Sequence, residues 1–188
     1  ENPTPSAPTP SGPLRLAAKE LSSPALSQDK PGTTIKGRKI AILGGEGIDA
    51  KQLKAVQDAL IAEEALVELI AAHAGHVTDS LGKAQRVNRA APNAPSVIYD
   101  AVVVPGGASA AALAKSGLAI HFINEAYRHG KPIAAIGDGA RLLEACAVGE
   151  STAEDGVIIA NSPNPIESLI EALLQHRFPR RSTAGVPA

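Results

Sequence analysis

Three short apolar runs in this chain, Arg38 to Leu43, Tyr99 to Val104 and Ile133 to Ile136, each lead into a glycine turn. The turns are Gly44-Gly45-Glu46-Gly47, Pro105-Gly106-Gly107 and Gly137-Asp138-Gly139. A run that is apolar throughout, rather than at alternate positions, belongs to a strand covered on both faces, which is the habit of parallel sheets. Helical patterns between the runs supply the cover, so the chain reads as α/β: a doubly wound parallel sheet in three layers, α/β/α. Right-handed crossovers then gather the glycine turns at the C-terminal end of the sheet. With 2% aromatic residues and neither Trp nor Met, the core has to be built from Ala, Val, Ile and Leu.

Asp49 and Gln52 form a capping box for a first helix whose inward face carries Leu53, Val56, Leu60 and Ile61. Ala65 to Ala71 is the second strand, and His76 to Val87 is a small hairpin insertion around Gly82. Ala108 to Lys115 and Leu118 to His129 are helical, the latter closed by Gly130. Val157 to Ala160 is a fifth core strand. Asn164 caps a last helix with Ile166, Leu169, Ile170, Leu173 and Leu174 facing inward. Residues 1–36 hold prolines 3, 5, 8, 10, 13, 24 and 31 among Ser, Thr and Ala, and read as a disordered linker. The domain proper is expected over 37–176, with 177–188 a tail.

Ile133 to Cys146 has the layout of a nucleophile elbow: strand, sharp bend, helix. Ala134-Ala135-Ile136-Gly137-Asp138-Gly139 resembles the Ala-Ala-Ile-Cys-His-Gly elbow of the class I glutamine amidotransferase-like superfamily, with its PfpI-type proteases and deglycase and chaperone relatives. Asp100 to Gly107 resembles the strand of that superfamily ending in Pro-Gly-Gly. Gly137 stands where the family has its cysteine and Asp138 where it has its histidine. The branch that shows this pairing without a nucleophile is the C-terminal domain of large-subunit haem catalases. Ser23-Pro24-Ala25-Leu26-Ser27 and Lys36 to Leu43 are similar to the segment that joins their haem domain to it. The resemblance runs from about Ser23 to Ala188 and implies a flavodoxin-like fold. It also implies a parent homotetramer that disproportionates hydrogen peroxide at haem in the cytoplasm, with this domain stabilising the assembly. Its partners would be the haem domain and sister subunits. A chaperone-like module binding unfolded proteins is the alternative, its surface expected on Ala108–Ala114 and on the face of Phe122 and Tyr127. A hydrolase or deglycase ranks third, because the nucleophile is missing.

Each remaining candidate meets a plainer account. Gly137 and Asp138 are a vestigial elbow, and Gly106 and Gly107 a vestigial oxyanion loop with no nucleophile facing it. The family's catalytic glutamate falls near Lys51, with Glu46 and Asp49 displaced from it. Cys146 lies on the apolar side of the helix after the bend, where a thiol is buried and inert. Gly45-Glu46-Gly47-Ile48-Asp49-Ala50 fits G-x-G-x-x-A, but the second strand ends at Ala71-Ala72-His73 without the acid a dinucleotide ribose requires. His73 and His76 have no third metal ligand close in sequence. His121, His129 and His176 sit on helices. Tyr99 and Tyr127 lack the Arg-x-Phe-x-Tyr context of a haem ligand, so no cofactor is expected here and haem belongs to the parent. A net charge of -1 gives no electrostatic case for nucleic acid or an anionic membrane. Because Glu1 is not a start residue, the chain reads as a fragment of a longer product.

Overall fold

A computed structural model describes residues 31–148, 155–159, 165–183 and 185–187. The described elements are, in order, β1 (Lys39–Leu43), α1 (Ala50–Ala62), β2 (Leu66–Ala71), β3 (Gly75–Thr78), β4 (Ala84–Val87), β5 (Arg89–Ala90), β6 (Ala101–Val104), α2 (Ala108–Leu113), α3 (Gly117–Arg128), β7 (Ile133–Ala135), α4 (Ala140–Glu144), β8 (Val157–Ile159) and α5 (Pro165–Gln175). Six strands form one sheet in the order β5-β2-β1-β6-β7-β8, all pairings parallel. β3 and β4 make the separate antiparallel hairpin. Setting aside the two-residue β5, the strands run second, first, third, fourth, fifth, which is the flavodoxin-like order.

Although the core strands are apolar throughout, their side chains sort cleanly by parity, because successive Cβ atoms point to opposite faces. Ile40, Ile42, Leu69, Val103, Ala134 and Ile158 face Leu53, Val56 and Leu60 of α1 and Leu169 and Leu173 of α5. Ala41, Leu43, Val102, Val104, Ile133 and Val157 face Phe122, Ile123, Ala126 and Tyr127 of α3, with Leu142 and Leu143 of α4. Few side chains are large, so the layers lie close, and glycines sit where one backbone meets another.

Several expectations change in the structure. Phe122 and Tyr127 are 5% and 4% exposed, inside the core rather than on a surface, and α2 buries Ser109 and Ala110. The Phe122 and Tyr127 face nominated for unfolded proteins is therefore an interior one, while Ala108, Ala111 and Ala112 of α2 stay exposed. Ile61 is exposed, one residue before α1 ends. Ile35, read as linker, is fully buried, and Gly32 N–H donates to Leu174 O at 2.6 Å, so the chain is already docked on α5 by then. Residues 1–30 of the expected linker lie outside the described residues, as does the cap Asn164. The segment read as a tail packs back onto the fold. Phe178 lies under Gly156 and Gly130, and the Arg181 guanidinium stacks 4.4 Å from the Tyr127 ring centroid. Arg181 also donates to the carbonyls of Tyr127, Lys131 and Asp155, tying α3 to the starts of β7 and β8. Lone charges on a Pro-containing stretch gave no sign of this from sequence.

Candidate functional site

The elbow has the shape the sequence suggested. Gly137 adopts φ +54, a left-handed conformation that a residue with a Cβ holds only at a cost of about 1–2 kcal/mol. Glycine keeps the bend and removes that strain together with the nucleophile. Gly139 fits because a Cβ there would lie 2.0 Å from Val104 O. Asp138 points outward, its side chain 58% exposed and 3.3 Å from Arg141 on the next turn. It faces no base and no oxyanion donor.

What fills the bend is Gln52, which sequence reasoning assigned only to the capping box. Half of that box forms: Asp49 Oδ1 accepts from Gln52 N–H at 2.8 Å. The reciprocal half does not, because Asp49 N–H is spent on Gly106 O at 2.9 Å. The freed Gln52 carboxamide turns to the elbow. Its Oε1 accepts from Gly106 N–H at 2.7 Å, and its Nε2 lies 2.9 Å from where a Gly137 Cβ would project. The residue that reaches the bend is thus Gln52, one position beyond Lys51. A glutamine in the first turn after a glycine-rich loop was the available signal, hidden by its fit to a capping motif. Gly106 N–H, one of the two candidate oxyanion donors, is occupied by a neutral amide.

The remaining loops close over this point. Gly107, at φ +98, lies so near the β1–α1 loop that a Cβ would meet Gly47 O at 2.4 Å. Gly47 N–H donates to Thr78 O and Ser80 N–H to Ile48 O, tying the hairpin to the same loop. At the start of α1, Ala50 N–H goes to Ser80 Oγ and Gln52 N–H to Asp49, so the dinucleotide-like turn keeps few donors for a pyrophosphate. Ser109 Oγ is buried beside Gly45 with no partner among the described residues.

Cys146 lies half-buried, its thiol pushed up to about 12 by burial, so it is not a thiolate at neutral pH. His73 and His76 are exposed on and before β3, and no cluster of metal-ligating side chains occurs among the described residues. Tyr99 is fully buried, and its hydroxyl donates to Glu68 Oε2 at 2.6 Å. Burial and that bond raise its pKa, the reverse of what a phenolate ligand to iron needs. Tyr127 is buried under Arg181. The residues present therefore do not fit haem.

Ionised groups collect instead at the N-terminal end of the sheet. Asp100 Oδ2 accepts from Lys39 N–H at 2.9 Å, and its Oδ1 lies 3.2 Å from His176, 3.5 Å from Arg38 and 3.7 Å from Arg177. Burial raises its pKa, but the Lys39 and His176 bonds and the Arg38 charge outweigh that and hold it below the usual carboxylate value. Lys131, 2% exposed, donates to Ser96 O at 2.6 Å, and burial followed by the Arg177 charge lowers it to about 8. No described helix is long and apolar enough to cross a membrane.

Known proteins share both the fold and the sequence. A two-domain protein of Anabaena variabilis with DJ-1/ThiJ/PfpI-like and ferritin-like domains matches 57% of this chain and 33% of its own, at TM-score 0.55 and 22% identity, which bears on the fold alone. Catalase HPII of Mycobacterium avium is 37% identical over 88% of this chain, and catalase HPII of Pseudomonas putida 36% over 94%. Catalase-2 of Bacillus subtilis is 35% identical over 87%. The chain spans only about a quarter of the length of these relatives: 26%, 25% and 24%. The profile of the C-terminal domain found in long catalases matches residues 36–183. With its glycine elbow and its catalase relatives, this chain belongs to the family of C-terminal domains of long catalases.

Proposed function

We propose that this chain is a non-catalytic domain that stabilises a longer haem catalase, and that hydrogen peroxide is converted to water and oxygen on residues outside the matched stretch. The observation that carries the reading is the elbow: glycine stands at the nucleophile position, and Gln52 takes up the nearest backbone donor. Chemistry of the acyl or thioester kind has no attacking atom there, and Gly106 N–H is already taken by Gln52. In a cytoplasmic homotetramer, the domain would pack on the haem domain and on sister subunits. Val97 (67% exposed) and Leu118 (50% exposed) line an apolar hollow with Pro92 and Pro95, which suits such packing. A holdase role has lost one of the two surfaces first nominated for it, because Phe122 and Tyr127 are interior, and keeps only the exposed Ala108, Ala111 and Ala112 of α2.

The isolated chain is expected to turn over neither peroxide nor peptide, ester and glyoxal substrates. Deleting 36–183 from the full-length catalase is expected to lower its thermal midpoint of inactivation and its assembly state by sedimentation. A truncated catalase equal to the parent in both would defeat the stabilising role. Suppressed aggregation of a heat-denatured enzyme by the isolated chain, beyond that of an inert protein of similar size, would favour the holdase instead.

A further inference from the structure

Arg181 is 6% exposed, and its N–H groups are directed to main-chain carbonyls of Tyr127, Lys131 and Asp155 rather than to a carboxylate. Its hydrogen bonds go to neutral carbonyls, and the Asp155 charge offsets its own only in part, since burial still lowers its pKa. A buried charge is less screened than a surface one and acts over a longer range. Lys131 lends Arg181 its main-chain carbonyl, while its own ammonium donates to Ser96 O. Beside Arg181, the C-terminal end of α3 and residues 177–183 line a cleft of ≈ 450 Å³. Arg128, His129, Arg177 and Thr183 line it together with Arg181, and no carboxylate lines it among the described residues.

We propose that this cleft binds a small, multiply charged oxyanion of the phosphate class. Arg128 and His129 supply the contacts. Each faces Glu125 at one edge only, at 3.7 and 3.5 Å, and each remains substantially exposed. A guanidinium offers a planar pair of donors that matches two phosphate oxygens. Thr183 adds an exposed hydroxyl, while Arg181 and Arg177 provide field from below. The acids within reach are Glu125, Asp100 and Asp155. Asp100 is already surrounded by Arg38, Arg177 and His176, and Asp155 offers Arg181 its carbonyl. The C-terminal dipole of α3 opposes an anion, but it amounts to about half an elementary charge against three guanidinium groups. Burial lowers Arg181 to about 10, with Tyr127 and Asp155 acting the other way, so it carries a proton throughout the neutral range.

The test is isothermal titration of the 188-residue chain with inorganic pyrophosphate and, separately, inorganic phosphate, at ionic strength matched with sodium chloride. The expected result is one saturable site per chain, tighter for pyrophosphate. Arg128→Gln with His129→Gln should weaken it about tenfold or more, with the ligand-free melting temperature unchanged. Lys54→Gln, on exposed α1, should leave it unaltered. Absence of saturation at millimolar pyrophosphate overturns the proposal. So does unchanged affinity in the double variant, or an equal loss with Lys54→Gln.

Discussion

The two ends of the sheet are built from different materials. At the C-terminal end, the turns after β1, β6 and β7 meet backbone to backbone through Gly47, Gly106, Gly107 and Gly139, with one neutral amide, Gln52, in the remaining space. At the N-terminal end, Arg38, Asp100, Lys131, Arg177 and Arg181, with His176 among them, fill the gaps with polar and charged side chains. The first arrangement has no room for an added atom and little to titrate. The second accommodates changes of shape, but depends on hydrogen bonds and on pH. The elbow end is closed by backbone, and the opposite end is built from charge.

The steric end should give the largest response. In Gly139→Ala the new Cβ would sit 2.0 Å from Val104 O, a backbone atom that cannot move without shifting β6. Loss of about 3 kcal/mol or more is expected, read as a drop in denaturation midpoint by urea. Gly137→Ala, two residues away, meets only the far end of the Gln52 side chain and should cost about 1–2 kcal/mol, mostly from its positive φ. Equal losses in the two variants would contradict the backbone-contact account.

The charged end comes next. Arg181→Gln removes a stacked guanidinium and strands the carbonyls of Lys131 and Asp155, with an expected loss of about 2–3 kcal/mol. Arg181→Lys should recover little of it, because a single ammonium cannot reach Tyr127 O, Lys131 O and Asp155 O together. Full recovery by lysine would reduce the residue to a charge and remove its role as a strut.

The difference between the ends also decides what was legible in the sequence. The glycine turns and apolar runs are local signals, so the parallel sheet and the elbow could be read from Gly44, Gly106 and Gly137, while the flavodoxin-like order came from the resemblance. Gln52 could not, because whether its amide caps α1 or crosses to Gly106 depends on a loop 54 residues away. Arg181 was invisible for the same reason: its partners Tyr127, Lys131 and Asp155 are brought together only by the completed sheet. β5 escaped notice because two residues, Arg89 and Ala90, carry no period.

The smallest expected effect is the most specific to the charged end. His176 Nε2 lies 2.8 Å from Arg38 Nη1 and 3.2 Å from Asp100 Oδ1. Arginine can only donate, so the Arg38 contact requires a lone pair on Nε2 and places the ring proton on Nδ1. A second proton would turn Nε2 into a donor to Asp100 and expel Arg38, so the two contacts belong to different protonation states. Burial, followed by the Arg177 and Arg38 charges, lowers the His176 pKa from 6.5, against the pull of Asp100. With the folded pKa below the unfolded one, the unfolded chain binds the proton first, and stability declines as pH falls from 6.5 through the folded value. Asp100 and Glu68, also depressed, act in the same direction but only below 3.8 and 4.5. The interval between 6.5 and 4.5 therefore isolates the histidine among the groups with a resolved shift, with an expected loss under about 1 kcal/mol for so exposed a ring. His176→Asn is the informative variant. Asparagine tolerates the φ of +70 that His176 adopts after α5, and it carries no titrating ring. The slope of unfolding free energy against pH should flatten over that interval in His176→Asn, and a slope identical to the parent's would place the proton elsewhere.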